Sequence, residues 1–227
     1  MKKSRQNESK LILDNQVVSK KRVSDHGEVY TNAREVNAML DLVKHETDRI
    51  DSRFLEPACG TGNFLIEILA RKLAVVSGKY KKSQVEYERY AVLAVSSLYG
   101  IDILADNVEA CQNRLFQLFD ENYTALFKVQ CKPACRESVR FILNRNILHG
   151  DALTLKTVDA SSNPIIFSEW SAVNGSMLKR RDFIYGDLVD KASERELPLF
   201  SDLGEESYIP NPIKDFPLMH FLELGNV

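Results

Sequence analysis

The 227-residue chain is 44% hydrophobic and 27% charged, which is enough for one globular core or for a core plus an appendage. Its 30 basic and 32 acidic residues nearly cancel, so overall charge gives no attraction to nucleic acid or to a membrane, and any such contact has to be local. There is no apolar run long enough to cross a bilayer, the opening MKKSRQNESK lacks the apolar stretch of a secretory leader, and four scattered cysteines make no secreted-type framework; the expectation is a cytoplasmic protein.

Residues 1–24 are polar and basic and read as a flexible arm. Val36, Met39, Leu40 and Val43 recur at helical spacing, predicting a helix over 32–46 with Thr31 or Asn32 as its cap and Glu35 in the first turn. Residues 53–56 form a short strand that Pro57 breaks. Beyond the glycines, Phe64, Leu65, Ile68, Leu69 and Leu73 again repeat with helical period, so strand, glycine turn and helix open a βαβ unit. A helix over 83–98, a strand over 99–103, a helix from 105 to 119 bearing Val108, Cys111, Leu115 and Leu118 on one face, a helix over 133–143 and a strand over 146–149 complete the alternation. It predicts an α/β fold with a parallel, doubly wound sheet. After Asp151 the pattern weakens, and residues 159–227 read as an irregular segment containing PIIFSEW, the basic cluster Lys179-Arg180-Arg181 and a charged, proline-rich stretch. Cys131 and Cys135 in CKPAC have no second ligand pair at metal-binding spacing; a turn at Pro133 leading into a helix accounts for them, and no metal site is predicted.

The turn EPACGTGN at 56–63 raises the question of its ligand. A glycine turn between a parallel strand and a helix lets a ligand approach the backbone and offers free N–H groups at the helix start. A phosphate-binding loop needs Gly-Lys-Ser/Thr, but Asn63-Phe64 follows Gly62; a dinucleotide fingerprint needs a third small residue where Leu65 stands. Glu56 would repel a pyrophosphate yet suits an ammonium group or hydroxyls. Asp102 ends the second strand, placed to accept from ribose hydroxyls, and Asp151 ends the third, placed to accept from an exocyclic amine. Three acids at three successive strand ends describe a site for a cationic nucleoside such as S-adenosylmethionine. Asp102 lies 40 residues after Gly62 where about 20 is usual, and the helix over 83–98 accounts for the excess as an insertion.

EPACGTGNFL at 56–65 resembles the S-adenosylmethionine motif of the N6-adenine DNA methyltransferases. GEVYT at 27–31 is similar to the segment that precedes it in the gamma-ordered members, and YGIDI at 99–103 and HGDAL at 149–153 to the two that follow. In order and wording the chain looks like the restriction-modification enzymes of the Eco57I-like type, nearly throughout from Ser24. The resemblance implies a Rossmann-like S-adenosylmethionine-dependent methyltransferase domain over 25–158. Glu56, Gly60 and Gly62 would then receive the methionine end, with the Tyr30 segment lining it, Asp102 the ribose and Asp151 the adenine; Thr31, Pro57, Ala58, Asn63, Ile103 and Ala152 are further cofactor-binding candidates, and Phe64 either flanks the cofactor or is core of its helix.

The family's catalytic signature, Asp/Asn/Ser-Pro-Pro-aromatic, does not occur in the sequence. Asn163-Pro164 with Phe167, and Asn211-Pro212, are weak substitutes that read better as turns. The resemblance therefore implies a chain that stops before its catalytic strand, with no catalytic residues of its own, an incomplete parallel sheet whose 53–56 strand is an open edge, and a second polypeptide supplying catalysis and target recognition on double-stranded DNA. Trp170, Phe167 and Tyr185 beside the basic cluster offer a nucleic-acid contact or a packed subdomain with solvated charges, while His26 and His149 read as loop or helix-end residues. Two other readings stay open: a non-catalytic binding or regulatory subunit of the same fold, and a methyltransferase for another substrate.

Overall fold

The structure is a computed structural model that describes residues 31–193 and 211–226. The chain divides into two compact units, Met1–Lys44 and His45–Val227. In the first, helix α1 (Ala33–Leu42) starts at Asn32, whose side chain accepts the Glu35 N–H at 3.0 Å, as its position before the apolar repeat predicts. Val36 and Leu40 are buried, but Met39 is 54% exposed and the helix ends at Val43, so the stripe is narrower than the spacing suggests. Helix α2 (Lys44–Thr47) follows.

The second unit is mixed α/β. Strand β1 (Phe54–Glu56) leads through the glycine turn into α3 (Asn63–Tyr80), then α4 (Gln84–Ser96), β2 (Leu98–Asp102), α5 (Ala105–Phe127), α6 (Pro133–Asn146) and β3 (Ile147–Asp151). The three strands pair in parallel in the order β1-β2-β3, with Glu56 opposite Gly100 and Asp102 opposite His149. β2 is buried along its whole length, as a central strand should be. The extra helix α4 is held on α5 by Tyr87 stacked on Tyr123 and by the fully buried Glu88, which accepts from the Tyr123 hydroxyl and pairs with Lys132 at 2.7 Å. Helix α5 runs eight residues beyond its predicted end at 119, because Phe119, Tyr123 and Phe127 carry its apolar face onward.

Two features depart from a doubly wound sheet. Strand β4 (Lys156–Thr157) adds to β3 antiparallel. The segment expected to be irregular contains a second, antiparallel sheet: β5 (Ile166–Ala172) and β6 (Met177–Ile184), with β7 (Lys214–Asp215) and β8 (Met219–His220) on β6. This sheet covers one face of β2, where Tyr99 meets Phe167 edge-on at 5.3 Å and donates its hydroxyl to the Ser168 carbonyl at 3.2 Å. The other face belongs to α3, since a Cβ on Gly100 would lie 3.1 Å from Leu65. Helix α7 (Tyr185–Ser193) closes the cluster, Tyr185 packing on Phe167 with ring centroids 5.4 Å apart.

Among the described strands β1 pairs only with β2 and stands at the sheet edge. Phe54 donates to the Ser97 carbonyl at 3.0 Å, so its amide faces β2 and the next residue, Leu55, turns its backbone groups outward. An apolar cavity of about 510 Å³ runs along this edge, lined by Phe54, Leu55, Tyr99, Phe183, Leu188 and Val189. No helix among the described residues is long and apolar enough to cross a membrane.

Candidate functional site

The carboxyl ends of β1, β2 and β3 bring Glu56, Asp102 and Asp151 to one side of the sheet, beside the glycine turn. Gly60 and Gly62 have φ of 51° and 87°, the left-handed region that glycine alone enters freely. Gly62 donates to the Cys59 carbonyl at 2.8 Å, Cys59 donates to the Ile101 carbonyl at 2.9 Å, and Ile66 donates to the Gly62 carbonyl at 2.8 Å. The turn is thus sewn to β2 and to the first turn of α3. Gly62 is itself the helix cap and has no side chain to satisfy the opening amides of α3, leaving a partial positive charge at the turn.

Each acid has its own environment. Asp102, 7% exposed, accepts from Gly60 N–H at 2.8 Å through Oδ2, and from Leu104 N–H at 2.9 Å and Asn107 Nδ2 at 3.2 Å through Oδ1. Three donors fill three of its roughly four lone-pair positions. The sequence assigns this residue ribose hydroxyls; its geometry leaves one direct acceptor position on Oδ2 and gives it a second task, fixing the turn. Glu56 is half-buried, burial pushes its carboxyl pKa up, and it makes no hydrogen bond among the described residues. Asp151 is held below the usual carboxylate range by the Leu153 N–H, which donates to it at 2.9 Å. The long separation of Gly62 from Asp102 is spanned by α3 and α4 together, and the two ends still meet.

Pro57 and Ala58 are exposed on the approach to the turn; Asn63 and Phe64 are half-buried at the start of α3. Phe64 is not among the buried core residues, whereas Leu65 beside it is fully buried, so the apolar helix face begins one residue later than Phe64. Ile103 is 45% exposed after Asp102, and Ala152 is half-buried after Asp151. Thr31 stands in the first unit, just ahead of α1; Tyr30 and His26 lie outside the described residues. His149 is a strand residue rather than a loop or helix-end one, its Nε2 lying 3.0 Å from the Ile103 carbonyl and tying the ends of β2 and β3.

The substitutes for a catalytic motif do not form one. Asn163 donates its side-chain amide to Ser161 at 2.8 Å and its carbonyl accepts from Thr157, closing an exposed turn, while Phe167 is core between Tyr99 and Tyr185. Asn211-Pro212 leads into β7, with the Ile213 N–H donating to the Asp182 carbonyl at 2.8 Å. Of the two readings of the 167–185 region, the packed subdomain describes its aromatic residues. Trp170 is buried against Phe141, Lys179 pairs with Asp215, Arg181 with Glu169 at 2.9 Å, and Arg180 forks onto Asp182 at 2.9 and 2.8 Å. The cluster is ion-paired rather than a free basic patch: Arg180 is buried with Asp182, while Lys179 and Arg181 pair at partly exposed positions along the second sheet.

Three residues to which the sequence gives no role in the site hold it together. Asn107 orients Asp102. Cys111 of α5 packs under the turn so closely that a Cβ on Gly62 would lie 2.6 Å from its Sγ. Its thiol, together with burial, keeps Cys59 protonated far above the ordinary thiol range. Arg114, one turn further along α5, donates through Nη1 to the Thr61 carbonyl at 2.6 Å, the Thr61 hydroxyl at 2.9 Å and Asn63 Oδ1 at 2.9 Å. Their only sequence signal is the three-residue spacing of Cys111 and Arg114, which puts both on one face of α5.

Fold and site define a mixed α/β protein whose parallel strands present acids and an open helix start on one side. Comparison with protein-family models, with curated proteins and with solved structures finds no match.

Proposed function

We propose that this chain is the S-adenosylmethionine-binding part of a site-specific N6-adenine DNA methyltransferase of restriction-modification type, with a Rossmann-like methyltransferase domain. The observation that carries the reading is the convergence of Glu56, Asp102 and Asp151 on adjacent parallel strand ends around a left-handed glycine turn with an uncapped helix start. The ammonium of the cofactor meets the unpartnered Glu56, a ribose hydroxyl takes the remaining acceptor position of Asp102, and the adenine amine meets Asp151, with Ile103 and Ala152 offering apolar contact to the base. The α3 N-terminus faces the cofactor carboxylate.

Transfer to adenine needs acceptors for the amino hydrogens, and the sequence has no Asp/Asn/Ser-Pro-Pro-aromatic motif to provide them. In this reading a second polypeptide supplies that motif and the DNA target recognition. Calorimetric titration with S-adenosylmethionine tests the first half: the wild type binds, and Asp151→Ala binds more weakly, with only the small fall in melting temperature that loss of the Leu153 bond brings. Absence of binding by the folded wild type overturns the reading. Methylation of duplex DNA by the purified chain alone overturns the second half.

A further inference from the structure

We infer that Arg114 is a positioning residue for the glycine turn, a brace from α5 that sets the turn in its binding conformation before any ligand arrives; its effect on cofactor affinity rests on the proposed function above. The turn has two glycines with positive φ and no side-chain cap, a combination with wide backbone freedom. Its inner side is fixed by Asp102, which accepts the Gly60 N–H, and by Cys111, which fills the space under Gly62. Its outer side, Thr61 to Asn63, is tied to α5 by Arg114. A single Arg114 nitrogen bonds the Thr61 carbonyl, the Thr61 hydroxyl and the Asn63 side chain, linking the residues on either side of Gly62.

These are charge-assisted bonds from an always-charged group, and one acceptor is a main-chain carbonyl that no rotamer change can withdraw. Arg114 is exposed and contributes little to the core, so removing it frees the turn without unfolding the domain. Cys111 and Arg114 project from one face of α5, so the helix that follows the Asp102 strand grips the turn after β1 at two points. A ligand entering a preset turn is spared the ordering cost that a free one would impose.

The test uses Arg114→Ala and Arg114→Lys in the full chain. Amide exchange at Gly60 and Gly62 without ligand should be about tenfold faster in Arg114→Ala, with global denaturant stability unchanged. Arg114→Lys should restore most of the protection, because the three acceptors converge on one nitrogen and an ammonium has three donors. S-adenosylmethionine affinity should fall about five- to twentyfold in the alanine variant and recover in the lysine one. Unaltered exchange at the turn, or exchange accelerated equally throughout the chain, overturns the inference; so does faster exchange with wild-type affinity. If the wild type binds no S-adenosylmethionine, the cofactor reading falls, and the exchange arm alone decides whether Arg114 braces the turn.

Discussion

Replacing Gly62 with alanine puts two separable loads on the turn. At φ 87° an L-residue carries a backbone cost of about 1–2 kcal/mol. The new Cβ would lie 2.6 Å from Cys111 Sγ, roughly 1 Å inside an ordinary non-bonded contact of ~3.5–4 Å. Cys111 is fully buried on a helix packed against the sheet, so it cannot swing aside, and overpacking of this kind costs about 1–3 kcal/mol. The sum, about 2–5 kcal/mol, corresponds to a fall of roughly 5–15 °C in melting temperature for a domain near this size. A double-mutant cycle separates the parts. Cys111→Ala alone forfeits a buried sulfur at about 1 kcal/mol, but combined with Gly62→Ala it removes the clash, leaving the backbone cost and a favourable coupling of about 1–3 kcal/mol. Urea denaturation of the four proteins measures it. A Gly62→Ala variant that melts within about 2 °C of the wild type, or a strictly additive cycle, would refute the packing account of the turn.

Lys72 on α3 is fully buried and donates to the Ile50 and Ser52 carbonyls and to Ser97 Oγ, and burial pushes its pKa down to about 7. Between that value and the ordinary lysine range the unfolded chain binds a proton that the folded one lacks, so stability rises with pH across the window; from pH 7 to about 9.5 the wild type should gain about 3 kcal/mol relative to Lys72→Met, and parallel urea midpoints for the two proteins would dismiss this. Burial raises the Glu56 pKa, so binding of S-adenosylmethionine through its ammonium should tighten several-fold as pH climbs from about 5 to 7.5, with no such trend in Glu56→Gln; equal trends in calorimetry would remove Glu56 from the site. Leu55 is 42% exposed on the unpaired edge of β1, so the wild type should self-associate with rising concentration in sedimentation velocity, and Leu55→Lys should suppress it at a stability cost below about 1 kcal/mol; a wild type that stays monomeric and melts cooperatively would show that the edge is already covered.

What was legible followed from how locally each feature is encoded. The glycine turn announces itself because Pro57, Gly60, Gly62 and the apolar repeat behind them fall within a dozen residues, and each is needed by the conformation it adopts. The insertion before β2 was readable for the same reason: the segment over 83–98 has its own helical pattern, and α4 occupies nearly that span. The second sheet hid because its alternation is chemically inverted. On β6 the buried positions include Leu178, Arg180 and Asp182, so a charged pair sits where an apolar residue would mark a core-facing strand, and the run Lys179-Arg180-Arg181 mimics a solvated patch. Only the partners, Asp182, Glu169 and Asp215, turn those charges into structure, and two of the three lie on other strands.

The site divides along the same line. Groups that would meet a ligand, Glu56, Asp102 and Asp151, close their strands and are marked by local punctuation, the Gly-Asp pair before Ala152 and the proline after Glu56. Groups that hold those in place do so from a distance: Arg114 acts on Thr61 from 53 residues away, and Asp102 on Gly60 from 42. No periodicity or turn rule connects such pairs, because the connection is made by the pairing of β1 with β2 and the packing of α5 beneath them. The acid at the end of β2 belongs to both sets, since its Oδ2 receives the turn and keeps one position open to a ligand. Asp102→Asn should therefore damage the apo turn as well as binding, whereas Asp151→Ala should weaken binding and free the Leu153 amide while leaving the glycine turn intact. That difference between two strand-ending carboxylates is invisible in the sequence and follows directly from where Gly60 lies.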